Sequence, residues 1–313
     1  MSGLLVMLPG MLSLLQDEGR FGYHRIGLTN GGPLDGRAMH WANRLVHNPS
    51  GVTALEVSFG GLELEARVDT LLSVTGGDAS LCINAVEKEK WRSHKVAEGD
   101  LISIGFAQAF CRSYLAVSGG FQIAPRFGST ATVSREGIGG LNGGKLEPGD
   151  LLACEPAGAA PCLRLPETDR PSYARHIQLR VIPGYQDYRF SRLQQRRFFA
   201  GIYTVTDRAD RMGYRLQGPV IECEIEGILS EGICQGAIQI PADGQPIVLL
   251  NDRQTIGGYP KIGSALSLDT AKLAQLMPGS TVRFEPISPY AAHNALHLEA
   301  SRTQRSVIEA CDA

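Results

Sequence analysis

Short apolar runs separated by glycine and proline dominate the chain. Residues 4–8 form a first such run, closed by Pro9-Gly10. Runs at 54–59, 62–66, 70–75, 81–84, 101–104 and 112–117 follow, with glycines between several of them. Spacing of this kind predicts an antiparallel sandwich or barrel. One segment departs from it. Ala38, Trp41, Ala42 and Leu45 recur at helical spacing behind Asp35, a residue suited to an N-cap, which predicts a helix over 36–47. In the second half, runs at 177–182 and 236–240 read as strands, Ser191 caps a short helix through Phe199, and Asp269 caps a helix over 270–276. A terminal helix begins at Ser288-Pro289, with Ala292, Ala295, Leu296 and Ala300 on one side.

A local pattern recurs at Ala97-Glu-Gly-Asp, Glu147-Pro-Gly-Asp and Met277-Pro-Gly-Ser, where a tight glycine turn precedes a strand. The last two lie near the ends of the two halves, so the expectation is two barrels of related design. The stretch 157–171 is rich in Ala, Pro and charge. It places a linker at 161–175, between a domain over 1–160 and another over 176–313.

The stretch 244–264, GQPIVLLNDRQTIGGYPKIGS, concentrates the chemistry. An apolar strand ends in Asn251, Asp252, Arg253, Gln254 and Thr255, beside Gly257-Gly258 and Tyr259-Pro260-Lys261. A rigid strand carrying polar groups next to glycines is how a scaffold presents a small-molecule site. A second polar stretch, DRADRMGYRL over 207–216, reads equally well as a self-neutralising surface loop or as part of that site.

Composition narrows the function. The chain has 313 residues, 43% hydrophobic and 20% charged, with a formal net charge of −2. Such a balance gives little electrostatic support for a nucleic-acid or anionic-membrane partner. No run approaches the roughly 20 apolar residues that span a bilayer. The seven cysteines include no CxxC and the histidines form no ligand triad, so no metal is expected, the thiols read as reduced, and the expected location is cytoplasmic. Gly139-x4-Gly144-Lys145 imitates a phosphate loop, but Leu146 follows where Ser or Thr belongs and Pro148-Gly149 oppose a helix. No ATP site is expected in this chain. GxSxG is absent, and no cysteine carries a nucleophile motif. What remains is a set of fixed donors and acceptors: Arg208, Arg211, Arg253 and Lys261 for oxygens; Asp210, Glu231 and Asp252 as acceptors or bases; Tyr214, Tyr259, Gln245 and Gln254 for positioning. That set suits an oxyanion at an amide or carboxylate better than redox chemistry.

The motifs Arg211-Met-Gly-Tyr-Arg-Leu216, Ser230-Glu-Gly-Ile233, Gly244-Gln-Pro-Ile-Val-Leu249 and Thr255-Ile-Gly-Gly-Tyr-Pro-Lys261 occur together with Val6-Met-Leu-Pro-Gly10, Ala54-Leu55-Glu56 and Tyr114-Leu-Ala-Val-Ser-Gly-Gly120. The combination resembles the KipA-type biotin-dependent carboxyltransferase family, also called the allophanate hydrolase subunit 2 family, which includes the C subunit of bacterial 5-oxoprolinase. The likeness spans roughly residues 4 to 290; Ile256 and the 30–33 segment depart from it. The resemblance implies a mainly β protein of two cyclophilin-like antiparallel β-barrel domains with a few peripheral helices. It implies ATP-dependent hydrolysis of 5-oxo-L-proline to L-glutamate together with the A and B subunits of that enzyme, the B subunit being KipI-like and the ATP belonging to the complex. No biotin-attachment domain is recognisable, which leaves a biotin role open. On this reading Lys261, Arg211 and Arg253 bind the substrate carboxylate or a phosphate. Asp210 or Asp252 orients water or a proton, and Tyr214, Tyr259, Gln254, Glu231 and Gln245 complete the pocket. Two other readings stay open: a non-catalytic partner of a KipI-like sensor-kinase inhibitor, and a carboxyltransferase half acting on a urea-like substrate.

Overall fold

In the computed structural model, which describes residues 2–225 and 227–312, the chain divides into two units. Unit 1 holds residues up to Phe21, Gly31–Tyr173 and the segment from Ser306 onward; unit 2 holds Gly22–Asn30 and Ala174–Arg305.

Unit 1 is built from two antiparallel sheets. One runs Leu151–Ala153, Gly3–Pro9, Gly60–Ala66, Leu101–Phe106, Leu81–Ile83, Val86–Lys88; the other Leu12–Gln16, Ala54–Ser58, Arg112–Val117, Thr70–Gly76, Ser93–Val96. Alternate residues of both, including Leu4, Val6, Leu64 and Ile104 from the first and Leu55, Leu72, Val74 and Leu115 from the second, share one apolar core. Helix α1 (Gly36–Leu45) covers the other face of the second sheet through Ala38, Trp41, Ala42 and Leu45. Thr75 and Ser73 fasten it by donating to the carbonyls of Ala38 (2.7 Å) and Ala42 (2.6 Å). With both faces covered, every residue of Thr70–Gly76 is buried, so this strand shows no polar alternation. Asp35 caps α1 as expected, accepting from the Ala38 N–H at 3.1 Å.

Unit 2 contains a closed seven-stranded barrel. Its strands follow one another as His176–Pro183, Lys261–Ala265, Ala237–Gln239, Ile247–Leu249, Gly213–Gln217, Tyr203–Ala209 and Thr281–Pro286. Six of the seven neighbouring pairs are antiparallel, while His176–Pro183 and Thr281–Pro286 close the barrel in parallel. The mainly β fold with a few peripheral helices is the one expected, with two refinements: unit 1 is two packed sheets, and the barrel of unit 2 has one parallel seam. Helix α2 (Arg192–Ala200), capped by Ser191, stacks Phe198 on Phe284 at 4.3 Å between centroids. Helix α3 (Ser267–Leu273) begins two residues before Asp269, which is not a cap. The Asp269 carboxylate instead takes three bonds from Arg180, one from its backbone and two from its guanidinium. Helix α4 (Pro289–Arg305) is largely exposed, with Ala292 its buried residue.

The three recurrent glycine turns share one geometry. Gly99, Gly149 and Gly279 have φ of 91°, 91° and 89°, and the residue after each donates its N–H to the residue two before that glycine. A positive φ at the third turn position is what selects glycine there. The segment expected to be a linker is structured instead: Cys162–Arg164 pairs with Glu309–Cys311, and Cys162 and Leu165 join the core beside α1. The end of the chain therefore returns to unit 1.

Candidate functional site

In unit 2, residues directly opposite in antiparallel neighbours share a face. Arg215, Ile247, Gln239 and Lys261 are such partners in sequence across four strands, so they form one row. The adjacent row, Tyr214, Val248 and Ile238, turns the other way and is fully buried. Gln239 and Lys261 are themselves only 1% and 8% exposed. A short ribbon pairing Glu231–Gly232 with Ile256–Gly257 lies nearby, and a Cβ placed on Gly257 would come within 2.9 Å of Gln239 Nε2. Glycine at 257 thus lets the ribbon backbone approach the row.

Lys261 donates from Nζ to Glu231, which also accepts from Gln186 Nε2 at 2.9 Å. Gln186 in turn accepts the Lys261 backbone N–H at 2.8 Å, and Lys261 Nζ stands 5.9 Å from the Tyr185 ring centre. The bond from Lys261, then that from Tyr185, holds the Glu231 carboxyl below its usual range; the same Glu231 contact raises the Tyr185 phenol. Glu231 is therefore ionised at neutral pH beside the Lys261 side chain.

Gln239 also lines a cleft of about 470 Å³. Its polar wall is Asp207, Arg208, Asp210, Arg215, Gln254 and Tyr259; Ile247 and Leu249 supply an apolar wall. Arg215 is tied to Asp243 at 3.2 Å. Among the described residues, the Arg208 guanidinium, the Gln254 amide and the Tyr259 hydroxyl have no hydrogen-bond or ion-pair partner. The sequence singled out Gln254 and Tyr259 as ligand contacts, and both do line this cleft.

Several other expected contacts are engaged elsewhere. Arg211 and Asp252, each about 5% exposed, form a bidentate pair at 2.8 and 2.9 Å. Arg253 is also buried, donating to the carbonyls of Ile233 (3.1 Å) and Leu250 (3.3 Å) and to Asn30 (3.5 Å). Burial lowers its pKa, consistent with a guanidinium held by neutral acceptors. Tyr214 is 1% exposed, and its hydroxyl bonds to the carbonyls of Ala274 and Leu276 inside the unit. Gln245 closes a loop by pairing with both backbone groups of Gly218. Asp210 reaches the cleft, but its Oδ1 accepts from the backbone of Met212 and Gly213. Sequence reasoning missed Gln239, Gln186 and Tyr185. Gln239 did leave a signal, an amide inside the apolar strand pattern Ala-Ile-Gln-Ile over 237–240.

The glycine loop over 137–145 runs from the short turn Ser134–Glu136 to the strand Leu151–Ala153.

A β-barrel bearing a donor-rich cleft on its strand faces is a scaffold suited to holding a small molecule. The family model described as carboxyltransferase domain, subdomain A and B, matches residues 26–286, and the chain belongs to that family. It is 36% identical over 284 residues to the C subunit of 5-oxoprolinase from Escherichia coli, covering 90% of each chain. The corresponding protein of Haemophilus influenzae is 34% identical over 276 residues, covering 88% of each. Among solved structures, the K. lactis urea amidolyase superposes with a TM-score of 0.89 at 27% identity over 96% of this chain, which spans 20% of that enzyme.

Proposed function

We infer that the chain is the C subunit of a 5-oxoprolinase, working with other subunits in the ATP-dependent hydrolysis of 5-oxo-L-proline to L-glutamate. The observation that carries this reading is extent: the relative named as the 5-oxoprolinase C subunit matches over 90% of both chains, whereas the urea amidolyase match occupies a fifth of that enzyme. The geometry supports it. A small ring carrying a carboxylate and an amide suits a cleft with one unengaged cation, Arg208, and neutral donors at Gln254 and Tyr259. In hydrolysis, water adds to the ring carbonyl carbon, the carbon–nitrogen bond breaks, and the leaving nitrogen takes a proton. Lys261 serves as proton donor with the ionised Glu231 bonded to it, and Lys261 lies directly opposite Gln239 in the row.

The proposed partners are the KipI-like B subunit, in direct contact with this chain, and the A subunit of the same enzyme, with ATP bound elsewhere in the complex. The proposed location is the cytoplasm, in keeping with seven cysteines outside disulfides; no helix among the described residues is long and apolar enough to cross a membrane. The test is reconstitution of the three subunits with ATP and 5-oxoproline, following glutamate as each is omitted. Full glutamate production without this chain would sink the reading. Its family description favours a second reading, carboxyl transfer. That reading requires a biotinylated partner, and turnover insensitive to avidin would eliminate it.

A further inference from the structure

We propose that Gln239 is the residue that recognises the ring carbonyl in this cleft: its buried amide donates to the carbonyl oxygen of a small cyclic amide, while Arg208 takes the ligand's carboxylate. The inference rests on the function argued above and names the contact that would make that site selective for a lactam.

Gln239 is 1% exposed and lines the cleft, yet its Nε2 has no hydrogen-bond partner among the described residues. Buried amide donors are nearly always satisfied, because an unmet one forfeits its bond to water. Neighbouring glutamines follow that rule: Gln186 donates to Glu231, and Gln245 to Gly218. Gln239 stands apart, and its surroundings keep it from reorienting toward a protein acceptor. Ile247 lies directly across the strand, and a Cβ at position 257 would come within 2.9 Å of Nε2. Ile247 and Leu249 make that wall apolar, so a ligand covering it would give its oxygen a bond in a low-dielectric setting. A neutral N–H selects a carbonyl oxygen, whereas the charged Arg208 selects a carboxylate. Charge grows on that carbonyl oxygen as water adds, so the contact strengthens toward the transition state.

The experiment uses the complex reconstituted from all three subunits, with 5-oxo-L-proline as substrate and L-proline, which has the same ring and carboxylate without the carbonyl, as competitor. Gln239→Leu removes the donor at similar size, and Gln239→Glu replaces it with an acceptor. Gly257→Ala is an independent variant whose Cβ would press on the Ile233 side chain and on Gln239 Nε2 while leaving Gln239 in place. Each is expected to lower kcat/KM by roughly 10- to 100-fold, kcat falling more than KM rises. Inhibition by L-proline should be unchanged in all three, which a merely structural lesion would not spare. Wild-type turnover in Gln239→Leu and Gln239→Glu overturns the proposal while leaving the function intact. Equal weakening of L-proline and 5-oxoproline overturns it too. A wild-type complex that makes no glutamate refutes the function itself, and this shows in the control before any variant is read.

Discussion

Replacing Asp252 by alanine separates a clamp from a catalyst. Asp252 and Arg211 have side chains only 7% and 6% exposed and are joined by two bonds of 2.8 and 2.9 Å. Removing one partner takes the bidentate counter-ion from the other charge in a poorly solvated place, a loss of about 3–5 kcal/mol. For a unit the size of unit 2, a loss of this order lowers Tm by about 3 °C per kcal/mol, or roughly 10–15 °C in all. Arg211→Met should do the same. The double variant Arg211→Met with Asp252→Ala should recover a large part of the loss, because no charge is left buried alone. Scanning calorimetry on the purified chain gives the three shifts. Turnover of the complex, measured well below every Tm, gives the activity of whatever fraction is folded. A clamp predicts low Tm with turnover largely kept at low temperature. An unchanged Tm with turnover abolished in Asp252→Ala would refute the reasoning and return this carboxylate to the chemistry.

Tyr214→Phe removes a hydroxyl bonded to the carbonyls of Ala274 and Leu276, so denaturant unfolding should show a loss of about 1 kcal/mol while turnover stays at wild type. Burial alone would raise the Asp269 carboxyl, but the bonds from Arg180 hold it below its usual range. Its stabilisation is therefore complete above the ordinary carboxylate pKa of about 4 and disappears as pH falls through the lowered folded value. Asp269→Asn should flatten that part of a Tm–pH profile, and an identical acid limb in the variant would contradict the assignment. Cys162 and Cys311 are free and directly opposite in paired strands. Antiparallel partners lie about 4.5–5.5 Å apart at Cα, within disulfide range, so diamide should produce an intramolecular bond that either Cys→Ser variant abolishes, as read by peptide mapping.

The parts legible in the sequence were those governed by neighbours in the chain. Asp35 before a helical apolar stripe, and Gly99, Gly149 and Gly279 in their turns, announce their structure within a few residues, and each is found as expected. Barrel closure is different in kind. The parallel seam joins residues about a hundred apart, and no local pattern distinguishes its strands from the antiparallel ones. The same limit explains the site. Lys261 and Glu231 stand out as charged residues beside glycines, but their pairing depends on the registers Gln239 with Lys261 and Glu231 with Gly257. For Arg211, Asp252 and Tyr214 the sequence could not show the partners within the chain, because a polar residue near glycine looks alike whether it bonds to a ligand or to its own chain.

That ambiguity has a physical resolution in unit 2. The engaged and unengaged groups alternate along the same short stretch: Asp252 and Arg253 are locked to Arg211, Ile233 and Leu250, while Gln254 and Tyr259, a few residues on, face the cleft unpaired. A loop rich in glycine would otherwise sample many conformations, and a donor on it would lose much of its effect to reordering. Anchoring the 250–255 backbone through two buried guanidinium groups removes that freedom at one end, and the Lys261–Glu231 bond removes it at the other. The buried charges that the sequence suggested for chemistry therefore act one step away from it. They fix the positions from which the uncharged donors, and Gln239 beneath them, meet the ligand.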